Sequence, residues 1–169
     1  MAQTVTSART SVNSSKLPAV YGKIKALHPF VFDYGCGKHV DHIRRHVDSM
    51  NAFYMPFDPY NQPNAVNKPS LKMLMKCIRY KKPVDVVCSN VLNVIDDDDT
   101  VRRIAEHIME IVNSTGGTGY VTVYEGDRSG IERYTGVDSY QRNAPLRSYL
   151  PFFHNATIEH NMIVIRREC

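Results

Sequence analysis

A pair of glycines between a predicted strand and a predicted helix carries the clearest chemical signal in this sequence. The apolar run at residues 28–33 predicts a buried strand, and the apolar repeat that starts at Val40 has helical spacing. Gly35 and Gly37 lie between them and permit backbone angles and close approach that a Cβ would prevent. A strand, a glycine turn and a helix in this order form a nucleotide-type pocket at the carboxyl edge of a parallel sheet. The same pattern also occurs in an ordinary strand-to-helix turn.

An acidic residue follows the next predicted strand. Residues 52–57 are apolar and aromatic, and Asp58, Pro59 and Tyr60 come directly after them. In doubly wound folds, an acid at the tip of the second strand accepts hydrogen bonds from a ribose diol. An Asp-Pro pair is also a common way to start a turn, so the sequence leaves both interpretations of Asp58 open. A further strand is predicted within residues 84–95, with small polar side chains at its carboxyl end.

These three segments resemble the class I S-adenosylmethionine-dependent methyltransferases over about residues 28 to 125. They are similar in particular to a small bacterial and phage-type subgroup with DYGCG, DPY and NVLNV in succession. The resemblance implies that the chain is a methyltransferase with S-adenosylmethionine as its cofactor. It assigns the following residues to the cofactor site: Asp33, Gly35, Cys36, Gly37, His39, Asp58, Pro59, Tyr60, Ser89 and Asn90.

The chemistry of methyl transfer makes catalytic residues hard to identify from sequence. The sulfonium is already activated, so the protein mainly aligns the acceptor, the methyl carbon and the sulfur. We predict catalytic roles for side chains at strand tips, namely Asn90, Asn93 and Tyr124. A turn residue is the alternative for Asn90, and a packed aromatic is the alternative for Tyr140. The resemblance places the acceptor beside Tyr140, Gln141 and Arg142.

The acceptor itself has no recognisable signature. The Pro-Pro-aromatic motif of DNA amino-methyltransferases is missing at residues 89–92, and no proline precedes Cys88, so direct base methylation by either known route is disfavoured. A small molecule, a nucleotide or a nucleic acid remain as acceptors. A second hypothesis is a phage accessory protein that binds or degrades S-adenosylmethionine and keeps the fold without methyl transfer. His39 favours it, since many relatives have a small residue at that position.

Composition gives further expectations about compartment and metals. The sequence has no apolar run of the ~20 residues that a bilayer span needs, and its start lacks the apolar centre of a secretory signal. The four cysteines form no C-x-x-C pair, so reduced thiols in a cytoplasmic protein are predicted. His39, His42 and His46 have helical spacing that zinc could use, but His39 falls at the predicted cofactor turn, and no metal is predicted.

The segment before the first acidic residue accounts for the whole net charge of +4. Four basic residues precede Asp33, and the rest of the chain is balanced. One local basic stretch, residues 68–82, has no acid among its members: Lys68, Lys72, Lys76, Arg79, Lys81 and Lys82. A solvated helix face and a phosphate-contacting face for nucleic acid are the two interpretations.

The predicted elements form a trimmed, Rossmann-like α/β fold. The sheet is expected to be mostly parallel with helices on both faces, and to end in an antiparallel hairpin around residues 160–161. We predict a mobile segment at residues 1–17 and one methyltransferase domain at residues 18–169. Residues 96–100 are predicted to open a helix that residues 113–119 close, and residues 120–124 are predicted to form the next strand. Short helices are expected at residues 21–27 and within 138–150. A loop is expected at 61–69, with Ser70 capping the helix after it.

Overall fold

A computed structural model describes residues 16–134 and 140–168, in which six strands form one mixed sheet. The sheet strands are β1 (Phe30–Tyr34), β2 (Phe53–Phe57), β3 (Val84–Ser89), β4 (Gly119–Thr122), β7 (Ala156–Glu159) and β8 (Met162–Ile165). Across the sheet they lie in the order β2-β1-β3-β4-β8-β7. A separate pair consists of β5 (Arg133–Tyr134) and β6 (Tyr140–Gln141). The first four sheet strands are parallel, and β8 and β7 are antiparallel, which confirms the predicted α/β architecture and its terminal hairpin.

The direction in which the chain crosses the sheet explains the two helical layers. It moves from β1 to β2 through α1 (Asp41–Ser49), and then returns past β1 to β3 through α2 (Asn64–Arg79). It continues in that direction to β4 through α3 (Asp98–Thr115). Because such crossovers are right-handed, the reversal puts α1 on one face and the other two helices on the opposite face. Ligands of doubly wound folds bind at a reversal of this kind.

Side-chain alternation along the strands fills both faces. Val31 and Tyr54 pack with the apolar side of α1, whereas Phe32 and Met55 pack with α2 and α3. Each of these four side chains is buried. Two separate apolar clusters therefore form from strands that are hydrophobic on both faces, as expected of a parallel sheet.

Local sequence fixes the ends of the longest helix. The Asp97 side chain caps α3 by accepting a hydrogen bond of 2.9 Å from the Thr100 backbone N–H. The helix ends at Gly116, whose φ of 78° lies in the left-handed region. Both are standard helix boundary signals, and the helix predicted after residue 95 is present.

Helix α2 begins earlier than the sequence indicates. The predicted loop at 61–69 is wrong, because the helix starts at Asn64 and contains Pro69, and Ser70 is buried inside it rather than at its cap. The Asn67 side chain supplies a reason, since it accepts from the Asp58 N–H at 3.0 Å and donates to the Asp58 carbonyl at 2.9 Å. These tertiary hydrogen bonds stabilise a first turn that local propensity disfavours.

The short helix predicted at residues 21–27 is also absent. The chain makes a turn over residues 19–23, with the Tyr21 N–H bonded to the Pro18 carbonyl at 3.0 Å. Tyr21 is buried because it packs with the cluster around α1, so burial decides the local conformation. In the segment 138–150, residues 138 and 139 lie outside the described chain, and a 3-10 helix occupies Leu146–Phe152. The predicted mobile segment lies outside it too, apart from residues 16 and 17.

A buried carboxylate joins three strands at the amino edge of the sheet. Asp85, near the start of β3, accepts from the His28 N–H at 2.8 Å and from the Thr118 N–H at 2.9 Å. The His28 imidazole Nδ1 lies 2.7 Å from Oδ1, the oxygen that also accepts from Thr118, whereas the His28 N–H bonds Oδ2. Asp85 therefore holds the chain before β1 and the chain before β4 on either side of β3.

We predict that Asp85→Ala lowers the free energy of unfolding by about 2 to 3 kcal/mol, because it leaves two backbone N–H groups without their acceptor. Urea denaturation measures the loss. Asp48→Ala, at an exposed position of α1, is the matched control and should change stability by less than about 0.5 kcal/mol. Equal losses in the two variants would contradict the role of Asp85.

Candidate functional site

The glycine turn and the acid after β2 meet at neighbouring strand ends. The N–H groups of Gly35 and Cys36 donate to the Phe57 carbonyl at 2.7 and 3.2 Å. The Gly37 N–H donates to Asp58 Oδ2 at 3.0 Å. Gly35 and Gly37 have φ of 79° and 73°, the left-handed region that glycine enters without strain. The expected juxtaposition of these two segments is therefore present.

The Asp58 carboxylate is buried and organises the loop that follows it. Oδ1 accepts from the N–H groups of Tyr60 and Asn61, each at 2.9 Å, and Oδ2 accepts from the Asn61 side-chain amide at 3.0 Å. Asp58 thus starts a turn and also contacts the glycine turn, so both interpretations of this residue describe part of its structure. Pro59 and Tyr60 are exposed beside it.

Two residues that the sequence analysis missed complete this loop. Gln62 Nε2 donates to the Gly37 carbonyl at 2.6 Å, and Asn67 binds both main-chain polar groups of Asp58. Both amides fall in a segment predicted to be a polar loop. No local sequence signal distinguishes them from other loop amides, because the partner of Gln62 lies 25 residues away along the chain and that of Asn67 nine residues away.

Val91 fills the crevice between the ends of β1 and β3. A Cβ placed on Gly35 would lie 2.4 Å from Val91 Cγ2, whereas a Cβ on Gly37 would meet nothing within 4 Å. The first glycine therefore permits close packing across the sheet reversal, and the second borders open space. A ligand that approaches this edge has room beside Gly37.

The polar residues at and after the end of β3 differ in their burial and in their hydrogen-bond partners. Ser89 Oγ accepts from the Thr122 hydroxyl at 3.1 Å. Asn90 is exposed, has φ of 57° and donates its N–H to the Thr122 carbonyl at 2.9 Å, so it occupies a turn. Asn93 is buried, and its amide donates to Gln141 Oε1 at 3.1 Å.

The chain from Tyr140 to Arg142 packs against the segment after β3. The Arg142 N–H donates to the Asn93 carbonyl at 2.8 Å, and its guanidinium bonds the Ile95 carbonyl at 3.0 Å. The same guanidinium lies 2.6 Å from Asp98. The structure therefore brings together Asn93, Gln141 and Arg142 from the predicted catalytic and acceptor sets.

Tyr124 and Tyr140, the aromatic residues of the predicted catalytic and acceptor sets, are placed less favourably to act on a substrate. Tyr140 is buried, as the packed-aromatic interpretation predicts, and burial raises the pKa of its hydroxyl. The Tyr124 side chain is exposed, and only its carbonyl joins the group by accepting from Gln141 Nε2 at 2.9 Å. A cavity of about 260 Å³ lies beside Arg142, with Tyr149 and Phe152 in its wall.

Cys36 and Cys88, the two cysteines near the site, are unsuited to act as nucleophiles. Burial raises the pKa of both thiols far above neutrality, with the charges of Asp33 and Asp58 adding to the effect at Cys36. Each thiol is therefore protonated at physiological pH. A thiolate attack is accordingly no part of the chemistry that this edge can perform.

Asp33 is a buried carboxylate beneath the glycine turn. Tyr54 and Tyr21 donate their hydroxyls to its Oδ2 at 2.6 and 2.9 Å. Burial raises the pKa of Asp33 to about 6, against the two hydroxyl hydrogen bonds, which lower it. The nearby Asp58 charge makes a smaller contribution to this value, in the same direction as burial.

His39 lies where the glycine turn enters α1. It is exposed and borders a shallow hollow of about 250 Å³ with Lys38, His42 and Arg45. Among the residues that the structure describes, no three His, Cys, Asp or Glu side chains are arranged to hold a metal ion. Across residues 16–134 and 140–168, no helix combines the length and apolarity needed to cross a bilayer.

Neither a scan of the sequence against protein-family models nor a search of curated proteins finds a match.

We predict that Gly35→Ala destabilises the protein more than Gly37→Ala. Both variants force alanine into the left-handed region, at a cost of about 1 to 2 kcal/mol. Only the Gly35 variant also pushes against Val91. The difference between their free energies of unfolding isolates that contact, and Val91→Ala in the Gly35→Ala background should reduce it. Equal stabilities of the two single variants would show that Val91 does not fill the crevice.

We predict that Asp33→Asn removes a pH dependence of stability between about pH 4 and pH 6. A carboxyl whose pKa is raised from 3.8 to about 6 binds its proton more tightly when folded, so its contribution to stability declines as pH rises through this window. The full change corresponds to about 3 kcal/mol. Urea unfolding of both proteins from about pH 4 to pH 7 provides the test. Parallel pH curves would contradict a raised pKa.

Proposed function

We propose that this protein binds S-adenosylmethionine at the carboxyl edge of its sheet and transfers the methyl group to an acceptor. The observation that carries the proposal is the contact of Asp58 with Gly37 at adjacent strand ends, beside the reversal of chain direction. A carboxylate in that position suits a ribose diol. The resemblance of the three sequence segments to methyltransferases supports the same ligand.

The donor and acceptor groups at this edge fit such a cofactor. The open space at Gly37 lets a ligand approach the backbone, and the partners of the Asp58 carboxylate oxygens are Gly37 and the loop residues Tyr60 and Asn61. A ribose hydroxyl can replace the Asn61 side-chain amide at Oδ2 without leaving the carboxylate unpaired. The exposed ring of Tyr60 lies beside it as a surface for a purine.

The cofactor supplies an activated methyl group, and the protein's part is to align it with the acceptor. Asn93, Gln141 and Arg142 form a connected polar group near the end of β3. In the proposed function they position the acceptor and exclude water. Arg142 is held by Asp98 and the Ile95 carbonyl, so its guanidinium is fixed before any substrate binds.

Titration calorimetry with S-adenosylmethionine and S-adenosylhomocysteine, followed by product analysis, tests the proposal. Binding together with formation of S-adenosylhomocysteine in the presence of acceptor mixtures would support methyl transfer. Binding with release of other cofactor fragments would favour a degrading protein, and binding without any product would favour an accessory role. Failure to bind either compound would refute the proposal.

We predict that Asp58→Ala weakens S-adenosylhomocysteine binding about 10- to 100-fold, because a hydrogen bond to a charged group contributes about 1.5 to 3 kcal/mol. Asn61→Ala removes the competing side-chain donor and should bind at least as tightly as the parent protein. Circular dichroism verifies that both variants remain folded. An unchanged dissociation constant for folded Asp58→Ala would remove this residue from the site.

A further inference from the structure

The solvent-facing side of α2 is a continuous row of cations. Lys68, Lys72, Lys76 and Arg79 are all exposed, and Met75 lies between them with 70% of its surface exposed. At 3.6 residues per turn, these five side chains fall within about 100° of the helix circumference. We call the four cations the basic face.

The basic face has no ion-pair partners among the residues that the structure describes, whereas most of the arginines near the loops and the hairpin do. Arg128, Arg133, Arg142 and Arg166 each pair with a carboxylate. By contrast, no acidic residue occurs in the sequence between Asp58 and Asp85, so α2 has no acid of its own to balance its charge. The cations of this helix are therefore available to a partner.

Folding alone does not account for this arrangement. Like charges three and four residues apart on a helix destabilise it by a few tenths of a kcal/mol per pair. Lys76 and Arg79 lie in the last turn, where the helix dipole favours cations. Lys68 and Lys72 lie too far from that end to benefit, so the helix dipole does not stabilise these two cations.

The position of the basic face connects it to the candidate site. Its first cation, Lys68, follows Asn67, which binds the backbone of Asp58 at the carboxyl edge of the sheet. The row then runs along α2 towards the opposite edge and continues beyond the helix into Lys81 and Lys82. At the junction, Tyr80 is 63% exposed, and the Arg79 guanidinium lies 5.5 Å from the centre of its ring.

We propose that the basic face binds the phosphate backbone of a nucleic acid strand. Four residues of helix rise about 6 Å, close to the axial rise of about 6.8 Å over two nucleotides of one duplex strand. The exposed Tyr80 ring provides a surface on which an unpaired base can stack. A membrane surface fits less well, because the apolar side of α2 is packed on the sheet and leaves no stripe to enter lipid.

This surface can function whether or not the cofactor proposal is correct, and its test uses no cofactor. The probes are a fluorescently labelled 20-nucleotide single strand and the matching duplex, each titrated by anisotropy at about 50 and about 200 mM salt. With four phosphate contacts, affinity should fall about 50-fold for the single strand and about 150-fold for the duplex across this range. For Lys68→Gln/Lys72→Gln we expect weaker binding and a fall of only about 10-fold, because two contacts are lost.

The control variant is Lys25→Gln/Arg167→Gln, which removes the same charge from exposed positions outside α2. It should bind both probes within about twofold of the parent protein. An equal loss of affinity in the two double variants would overturn the proposal, since net charge alone would then explain binding. No binding at about 50 mM salt would also overturn it, as would a preference for anionic phosphatidylserine vesicles or polyglutamate over both oligonucleotides.

Discussion

The hydrogen bonding of the glycine turn to the end of β2 determines how the rest of the candidate site is arranged. Three successive N–H groups after β1 are satisfied by the Phe57 carbonyl and the Asp58 carboxylate. Parallel pairing of β1 with β2 brings these groups into range, and the left-handed glycines turn the backbone towards them. The loop after Asp58 then closes over the turn, because the same carboxylate also accepts from that loop.

Buried carboxylates hold the two edges of the sheet by different physical means. Asp85 is surrounded by donors from the backbone and from His28, and it joins adjacent strands at the amino edge. Asp33 accepts from two tyrosine hydroxyls, and burial raises its pKa. The first is a structural clamp, whereas the second is a titratable group directly beneath the edge where we propose that the cofactor binds.

The proposed cofactor edge and the basic face of α2 meet at Asn67. This side chain fixes the first turn of the helix to the loop that carries Asp58, and Lys68 follows it directly. If the acceptor is part of a nucleic acid, the backbone of that acceptor would run along α2 while the acceptor group reaches the strand ends. The group formed by Asn93, Gln141 and Arg142 lies at the end of β3, across β1 from β2, so the two proposals assign different parts of the molecule to backbone and acceptor.

The sequence by itself indicated that the glycine turn and Asp58 meet, because both follow strands that were expected to be parallel neighbours. It also determined the strands of the six-stranded sheet, with its terminal hairpin, and the helices α1 and α3. These follow from hydrophobic periodicity and from glycine and capping residues, which act locally. Only the tertiary structure decided the start of α2, the turn at Tyr21 and the roles of Gln62 and Asn67. It also decided that Asn93 is joined to Gln141 and Arg142, while the Tyr124 side chain points to solvent. These outcomes depend on hydrogen bonds and burial between segments far apart in the chain, and local residue pattern carries no record of such partners.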